Sequence, residues 1–257
     1  MQLHLIGTGS ILSKQMSASA LIDDTILIDA PNGAMKAMHR HGLDPTGIDI
    51  CLITHYHADH FFDIVFLFLE QGLLRKRDSE LVLIGPTGFA QRVEQLFELA
   101  YPGSWPHMKE STRPRFVEFG EEGGDWSGYG YTIRALHTQH TVPSQGYLIT
   151  DEDGTRLGYT GDTVHCPAVD ELAGHSSALV LDTSFHQSKA GHMGLEDVEA
   201  LADRHPDLPL LATHRDDDVT SSTRPNIHFP ADGDTFQLTA TNLIPSRQEE
   251  LDTATTV

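Results

Sequence analysis

The segment THYHADH, residues 54–60, constrains this chain more than any other feature. It places His55, His57, Asp59 and His60 within six residues. It directly follows IDICLIT (48–54), an apolar run of buried-strand length, and precedes apolar residues at helical spacing. A strand end holds side chains rigidly, and a tight turn lets alternate residues face one point. His55 and His57 can therefore face one metal ion, and Asp59 and His60 a second one close by. Imidazole combined with carboxylate suits zinc, and also iron or manganese.

A two-metal site needs further ligands, and three candidates each follow a strand-like run. His140 lies in HTQHTVPSQGY, Asp162 in GYTGDT, and His214 ends LPLLATH. Gly161 lets the backbone turn beside Asp162, and an Asp between two cations can bridge them with its two oxygens. His137 competes with His140; it lies three residues earlier, inside the expected strand 131–138, as a packing or supporting residue. Asp29, at the end of LIDA, is placed to orient a ligand histidine through its ring N–H. Thr54 is a weaker candidate for a similar contact.

The rest of the chain alternates short strands with helices in two similar halves. Strands are expected at 2–6, 19–22, 25–30, 48–54, 80–85, 131–138, 146–150, 156–162, 178–184 and 208–214, with NIHF and TFQL near the end. Helices are expected over 33–41, from His60 to about Leu74, from Pro86 to about Ala100, and over Leu195–Arg204. Such an order suggests sheets covered outside by helices, an α/β class. YPGSWPHMK reads as a Pro-rich loop covering an edge. Residues 1–245 form one expected domain, and 246–257 a polar, flexible tail.

Composition excludes several classes. Two cysteines, Cys51 and Cys166, in 257 residues rule out a disulfide framework and a four-cysteine zinc module. Cys51 reads as core and Cys166 as a loop thiol. No apolar run reaches the length of a membrane span, and the first residues carry no signal-peptide pattern, so a cytoplasmic location is expected. The formal charge is −20, from 37 acidic against 17 basic residues. A surface of that sign repels polyanions unless a basic patch intervenes.

The motif HxHxDH, matched by His55 through His60, followed by single His140, Asp162 and His214, resembles the metallo-β-lactamase-fold hydrolases. The resemblance covers nearly the whole chain, from LIGTGS to PADGDTFQL. It implies an αββα four-layer sandwich, two divalent metals, usually zinc, and a bridging hydroxide that attacks the substrate. It implies one metal on His55, His57 and His140, the other on Asp59, His60 and His214, with Asp162 bridging.

Within that superfamily, LIGTGS, HTVPSQGYLI and GHMGLEDVEALA are similar to the ribonuclease Z and phosphodiesterase branch. The last of these puts His192 in the role of a catalytic histidine, with His186 competing for it; Asp59 is the other expected catalytic residue. Ribonuclease Z carries a long arm that grips transfer RNA after the third-histidine segment. Here only LITDEDGTRLGY separates that segment from Asp162, and ATHRDDDV replaces the branch's serine, arginine and tyrosine pattern. Asp216 to Asp218 read as a solvated acidic turn that would repel an anionic substrate.

The expected function is hydrolysis of a small phosphodiester or similar ester, with His192 as general acid. A small-molecule substrate is expected, with no nucleic acid, no membrane partner and a homodimer as a possible assembly. Two further readings use the same fold: hydrolysis of a lactone, thioester or amide, and a non-hydrolytic or iron redox protein. No flavin-binding partner domain is visible for the last.

Overall fold

The computed structural model describes residues 1–75 and 77–246. Except for Ser246, the tail expected from residue 246 lies outside the described residues. Among these, two mixed sheets stack face to face. The first runs in the order β15-β14-β1-β2-β3-β4-β5-β6. Its strands are β1 (Gln2–Gly7), β2 (Ser19–Ile22), β3 (Ile26–Ile28), β4 (Ile50–Leu52), β5 (Leu81–Pro86), β6 (Pro114–Phe119), β14 (Thr235–Leu238) and β15 (Leu243–Pro245). The second runs β13-β12-β11-β10-β9-β8-β7. It contains β7 (Gly124–Gly128), β8 (Tyr131–Thr138), β9 (Ser144–Asp151), β10 (Arg156–Tyr159), β11 (Ala178–Asp182), β12 (Leu210–Thr213) and β13 (Ile227–His228).

Helices α1 (Ala34–Arg40), α2 (Ala58–Phe61), α3 (Ile64–Leu74), α4 (Phe89–Ala100) and α5 (Trp105–Thr112) belong to the first sheet's half. Helices α6 (Pro167–His175) and α7 (Leu195–Arg204) belong to the second. The central strands, such as β3, β4, β5, β11 and β12, are apolar on both faces because both faces are covered. In β4, Ile50 and Leu52 enter the layer between the sheets, while Cys51 packs toward the helices. In β11, Val180 enters the same central layer and Leu179 and Leu181 pack under α6 and α7. Three apolar layers thus separate four layers of secondary structure: the αββα sandwich. No described helix is long and apolar enough to cross a membrane.

Several elements differ from the sequence reading. The helix expected from His60 to Leu74 is broken at Phe62–Asp63 into α2 and α3. The Asp63 carboxylate accepts the backbone N–H groups of Gly33 and Met35, at 3.0 and 2.9 Å. The break therefore caps the start of α1, where backbone donors lack helical partners. Pro86 closes β5 instead of opening a helix, and α4 begins at Phe89 after Gly88, whose φ is 92°. Strands β6, β7 and β15 and helix α6 carry no periodic signal strong enough to be expected. Cys166 lies, as expected, in the loop just before α6, with its thiol buried.

The expected loop YPGSWPHMK contains α5, opened by Trp105 and Pro106. Trp105 is buried, with its ring 5.3 Å from both Phe68 and Phe97. It joins α3, α4 and α5 into one apolar cluster. Trp105→Ala should cost about 3–5 kcal/mol, as large buried aromatics do. Urea unfolding followed by circular dichroism checks this; an unchanged midpoint would return the segment to a mere edge cover.

Candidate metal centre

One edge of the sandwich gathers the polar residues. Strand β4 runs parallel to β3 and β5, and β10, β11 and β12 are mutually parallel, so their carboxyl ends meet there. The residues just beyond them are Thr54 and His55, Asp162, Thr183 and His214. His140 arrives from the β8–β9 connection. Gly161 has φ 61°, and a Cβ there would lie 2.8 Å from the Thr54 Cβ, so glycine is required for the close approach. Asp29 and His214 also sit at positive φ, 58° and 52°. Left-handed backbone at non-glycine residues costs of order 1–3 kcal/mol each and persists only where the surroundings fix it.

The surroundings fix both. Asp29 is wholly buried; its N–H donates to Leu52 O and its carbonyl accepts from Ser19 Oγ. Its carboxylate accepts from Thr54 N, from Thr54 Oγ1 at 2.9 Å and from His60 Nδ1 at 2.8 Å. The Thr54 hydroxyl, having donated to Asp29, accepts from His55 Nδ1 at 3.1 Å. On the opposite sheet, Ser184 Oγ donates to Asp182 Oδ1 and so accepts from His214 Nδ1 at 2.7 Å. His140 Nδ1 donates to Gly191 O at 2.7 Å. Gly191 has φ 84°, and a Cβ there would lie 2.8 Å from that same ring nitrogen.

These bonds assign the tautomers. His55, His60, His140 and His214 each carry the Nδ1 proton and turn an Nε2 lone pair inward. His57 Nδ1 lies 3.0 Å from His55 Nε2 and 3.2 Å from His140 Nε2. On the other side, His60 Nε2 and His214 Nε2 each stand 3.7 Å from Asp59 Oδ2. Asp162 Oδ2 is between the groups: 3.3 Å from His60 and His214, 3.7 Å from His55 and 4.0 Å from His140.

Acceptors thus converge on acceptors. His60 Nε2 and His214 Nε2 are buried without a hydrogen-bond partner among the described residues. Burial lowers the pKa of His55 and His140, which favours neutral imidazole, the form that binds metals. Burial also pulls His60 and His214 down, but Asp162, helped by Asp29 for His60, raises both above the ordinary histidine value. Burial pushes the Asp162 carboxyl up, yet His214, His60 and His55 hold it well below the usual range. Positive charge is therefore favoured among these residues. His55–His57–His140 and Asp59–His60–His214 are each spaced to hold one ion, and Asp162 is close to both sets. The donor set fits borderline divalent cations such as zinc.

His192 lies beside this cluster. Its ring stacks on His214, with centroids 5.2 Å apart and planes 6° apart, and meets His140 edge-on at 4.9 Å. Its Nδ1 donates to Asp182 Oδ2 at 2.9 Å. Burial lowers its pKa, but the Asp182 carboxylate raises it above the ordinary value. Asp162, Asp182, His192 and His214 are also near enough to surround an ion. The Asp182 oxygens are already occupied, Oδ1 by Ser184 N and Oγ, Oδ2 by Thr163 N and His192. Asp182 is thus a partner of His192 rather than a vacant donor. Sequence reasoning passed over Asp182, Ser184 and Gly191; the available signal was an Asp ending a buried strand, the same pattern as Asp29.

Other candidates lie apart. His186 is exposed, 3.6 Å from Asp218. His137 is on β8 with its side chain exposed, outside the cluster. Asp216 and Asp217 are engaged structurally: they accept from Ser10 Oγ and Lys14 N and tie down the 8–17 loop.

The family model described as Beta-lactamase superfamily domain matches residues 24–214. The chain belongs to the metallo-β-lactamase superfamily and is a metal-dependent hydrolase of that superfamily. Within it, the chain falls in the ribonuclease Z and phosphodiesterase-like branch. Ribonuclease Z from Mycobacterium sp. (strain KMS) is 30% identical over 194 residues, covering 70% of this chain and 67% of the relative. Human tRNase Z, short form, superposes with a TM-score of 0.76 at 16% identity, over 93% of this chain and 100% of that one. A diphosphatase from the PhnP family gives 0.72 at 16% identity, over 95% and 99%.

These relatives correct one expectation. A small-molecule substrate with no nucleic-acid partner conflicts with relatives named ribonuclease Z and tRNase Z, both named for action on RNA. The formal charge misled because it sums the whole surface, whereas recognition depends on the local field at the site.

The hydrogen-bond pattern generates a test. Asp29→Asn preserves shape but places a carboxamide where His60 and Thr54 donate. Divalent-metal affinity should fall roughly 10–100-fold, as for lost supporting carboxylates. Competition with a chromogenic chelator measures it; unchanged affinity in a folded variant would remove Asp29 from the centre.

Proposed function

We propose that this protein is a phosphodiesterase with a dinuclear zinc centre that cleaves phosphodiester bonds of RNA. In this reading His55, His57 and His140 hold one ion, Asp59, His60 and His214 the other, and Asp162 serves both. The paired cations would supply Lewis acidity to the phosphoryl oxygens and bring the pKa of a water close to neutrality.

The chain's own residues handle protons and orientation. Asp59 is held low; burial raises its carboxyl, but His214 and His60 outweigh that. It is an ionised acceptor at neutral pH, available to take a water proton at a carboxylate oxygen. His192 is the donor. With Nδ1–H engaged by Asp182, its Nε2 has no partner among the described residues, and the side chain keeps 20% of its exposure. An imidazolium there gives its Nε2 proton to the departing ribose oxygen, and Asp182 holds the ring in place while it does so.

The observation that carries the reading is this Asp182–His192 pair beside the cluster. A metal centre alone suits many hydrolyses; an acid poised next to it suits a leaving group that needs a proton. The names of the relatives support the RNA phosphodiester.

The test uses metal-loaded protein and two substrates, an RNA dinucleotide and a nucleoside p-nitrophenyl phosphate. His192→Ala should lower kcat on the dinucleotide by roughly 10²–10⁴-fold. The loss should be smaller for p-nitrophenolate, which departs without a proton, and metal content should be unchanged. Because the Asp182 carboxylate raises the His192 pKa against the effect of burial, the protonated donor persists to higher pH than in an ordinary histidine, and wild-type kcat on the dinucleotide should fall as pH rises through that raised pKa. Equal losses on both substrates would refute the acid role, and failure of wild type to cleave either substrate would refute the phosphodiesterase reading.

A further inference from the structure

A cavity of about 220 Å³ opens between the sheets, lined by Pro86, Thr87, Phe119, Glu121, His137 and Pro143 among others. Strand register explains it. On the first sheet Pro86 pairs with Phe119 at the ends of β5 and β6; on the second, His137 pairs with Gln145 and Thr138 with Ser144. His137 is on the inward-facing side of β8, in line with the buried Ile133 and Ala135, but at the strand's end. The central apolar layer stops there, and the mouth of the sandwich stays open.

This mouth is tied to the metal centre by three hydrogen bonds and by the chain itself. Pro86 O accepts from the hydroxyl of Tyr56, the residue between His55 and His57. Gln145 N donates to Thr54 O at 2.9 Å. Ser144 Oγ donates to Asp162 O at 3.3 Å. Pro143 follows His140 by three residues in the same connection. The cavity therefore flanks the His55–His57–His140 side of the cluster.

We infer that this cavity is a nucleobase subsite, which seats one base of the phosphodiester substrate beside the metals; the inference rests on the phosphodiesterase reading. Its volume is below the roughly 300–1,000 Å³ of pockets for drug-sized ligands and suits a single ring system. Phe119, Pro86 and Pro143 offer flat apolar walls, and bases stack on such surfaces whatever their identity. Polar groups stand at the rim without partners: neither the His137 ring nor the Glu121 carboxylate makes a hydrogen bond or ion pair among the described residues. These can meet the edge of a base, as proteins that read unstacked RNA bases do. With a base seated here, the attached phosphate extends toward the cluster, and the leaving side of the substrate extends toward His192.

The test is calorimetric titration of metal-loaded protein with AMP, UMP and ribose 5-phosphate. Both nucleotides should bind at least about tenfold more tightly than ribose 5-phosphate, the advantage expected of a stacked base. Thr87→Trp places an indole at the exposed mouth and should abolish that advantage, leaving ribose 5-phosphate affinity and metal content unchanged. His137→Ala, an exposed change that leaves folding intact, should reduce it. Equal affinity of all three ligands for wild type, or an advantage that survives Thr87→Trp, would overturn the subsite. If the base-dependent advantage is present but no phosphodiester is cleaved, the subsite stands and the phosphodiesterase reading fails. If cleavage occurs without the advantage, the reverse holds.

Discussion

The structure depends on one buried carboxylate, Asp29. Its two oxygens fix Thr54 and His60 directly, and through the Thr54 hydroxyl they fix the ring of His55. A single side chain thereby orients one histidine from each half of the cluster. The second sheet repeats the device with Asp182, which orients His214 through Ser184 and His192 directly. Each sheet thus ends a buried strand on a carboxylate that aims two imidazoles. Burial makes these bonds strong and makes their loss expensive, because an unpaired buried charge has no water to turn to.

The fold explains why that arrangement holds. Parallel strand ends deliver side chains to one edge, and the helices outside bury the opposite faces. Two of the six left-handed non-glycine residues among the described residues, Asp29 and His214, sit where the chain turns into the site. The apolar layers fix the strand ends, and the strand ends fix the ligands. A helix break at Asp63 and a tight glycine at 161 serve the same end from either side.

Local spacing in the sequence was enough to point to most of this cluster. His55, His57, Asp59 and His60 share one turn, and His140, Asp162 and His214 each follow an apolar run; the structure brings all seven together. Asp182 and Ser184 escaped because they act on histidines 10 and 30 positions away through space, which no window of sequence displays. Helix α5 escaped because Gly103 and Pro106 read as punctuation, while its evidence is the contact of Trp105 with two distant phenylalanines. His137 was weighed as a ligand because it neighbours His140; strand alternation instead turns it into the mouth between the sheets. The substrate was misjudged because a net charge of −20 describes the surface as a whole.

The central claim is that this set of inward lone pairs and carboxylates is built for two cations. Titration of chelator-stripped protein with Zn²⁺ by isothermal calorimetry, in parallel for wild type and Asp162→Ala, tests it most directly. The account expects two ions per chain in wild type, and weaker binding of both in Asp162→Ala, because one carboxylate oxygen stands within reach of both sets. A single ion per chain, or loss of one ion from the variant with the other bound as in wild type, would contradict it.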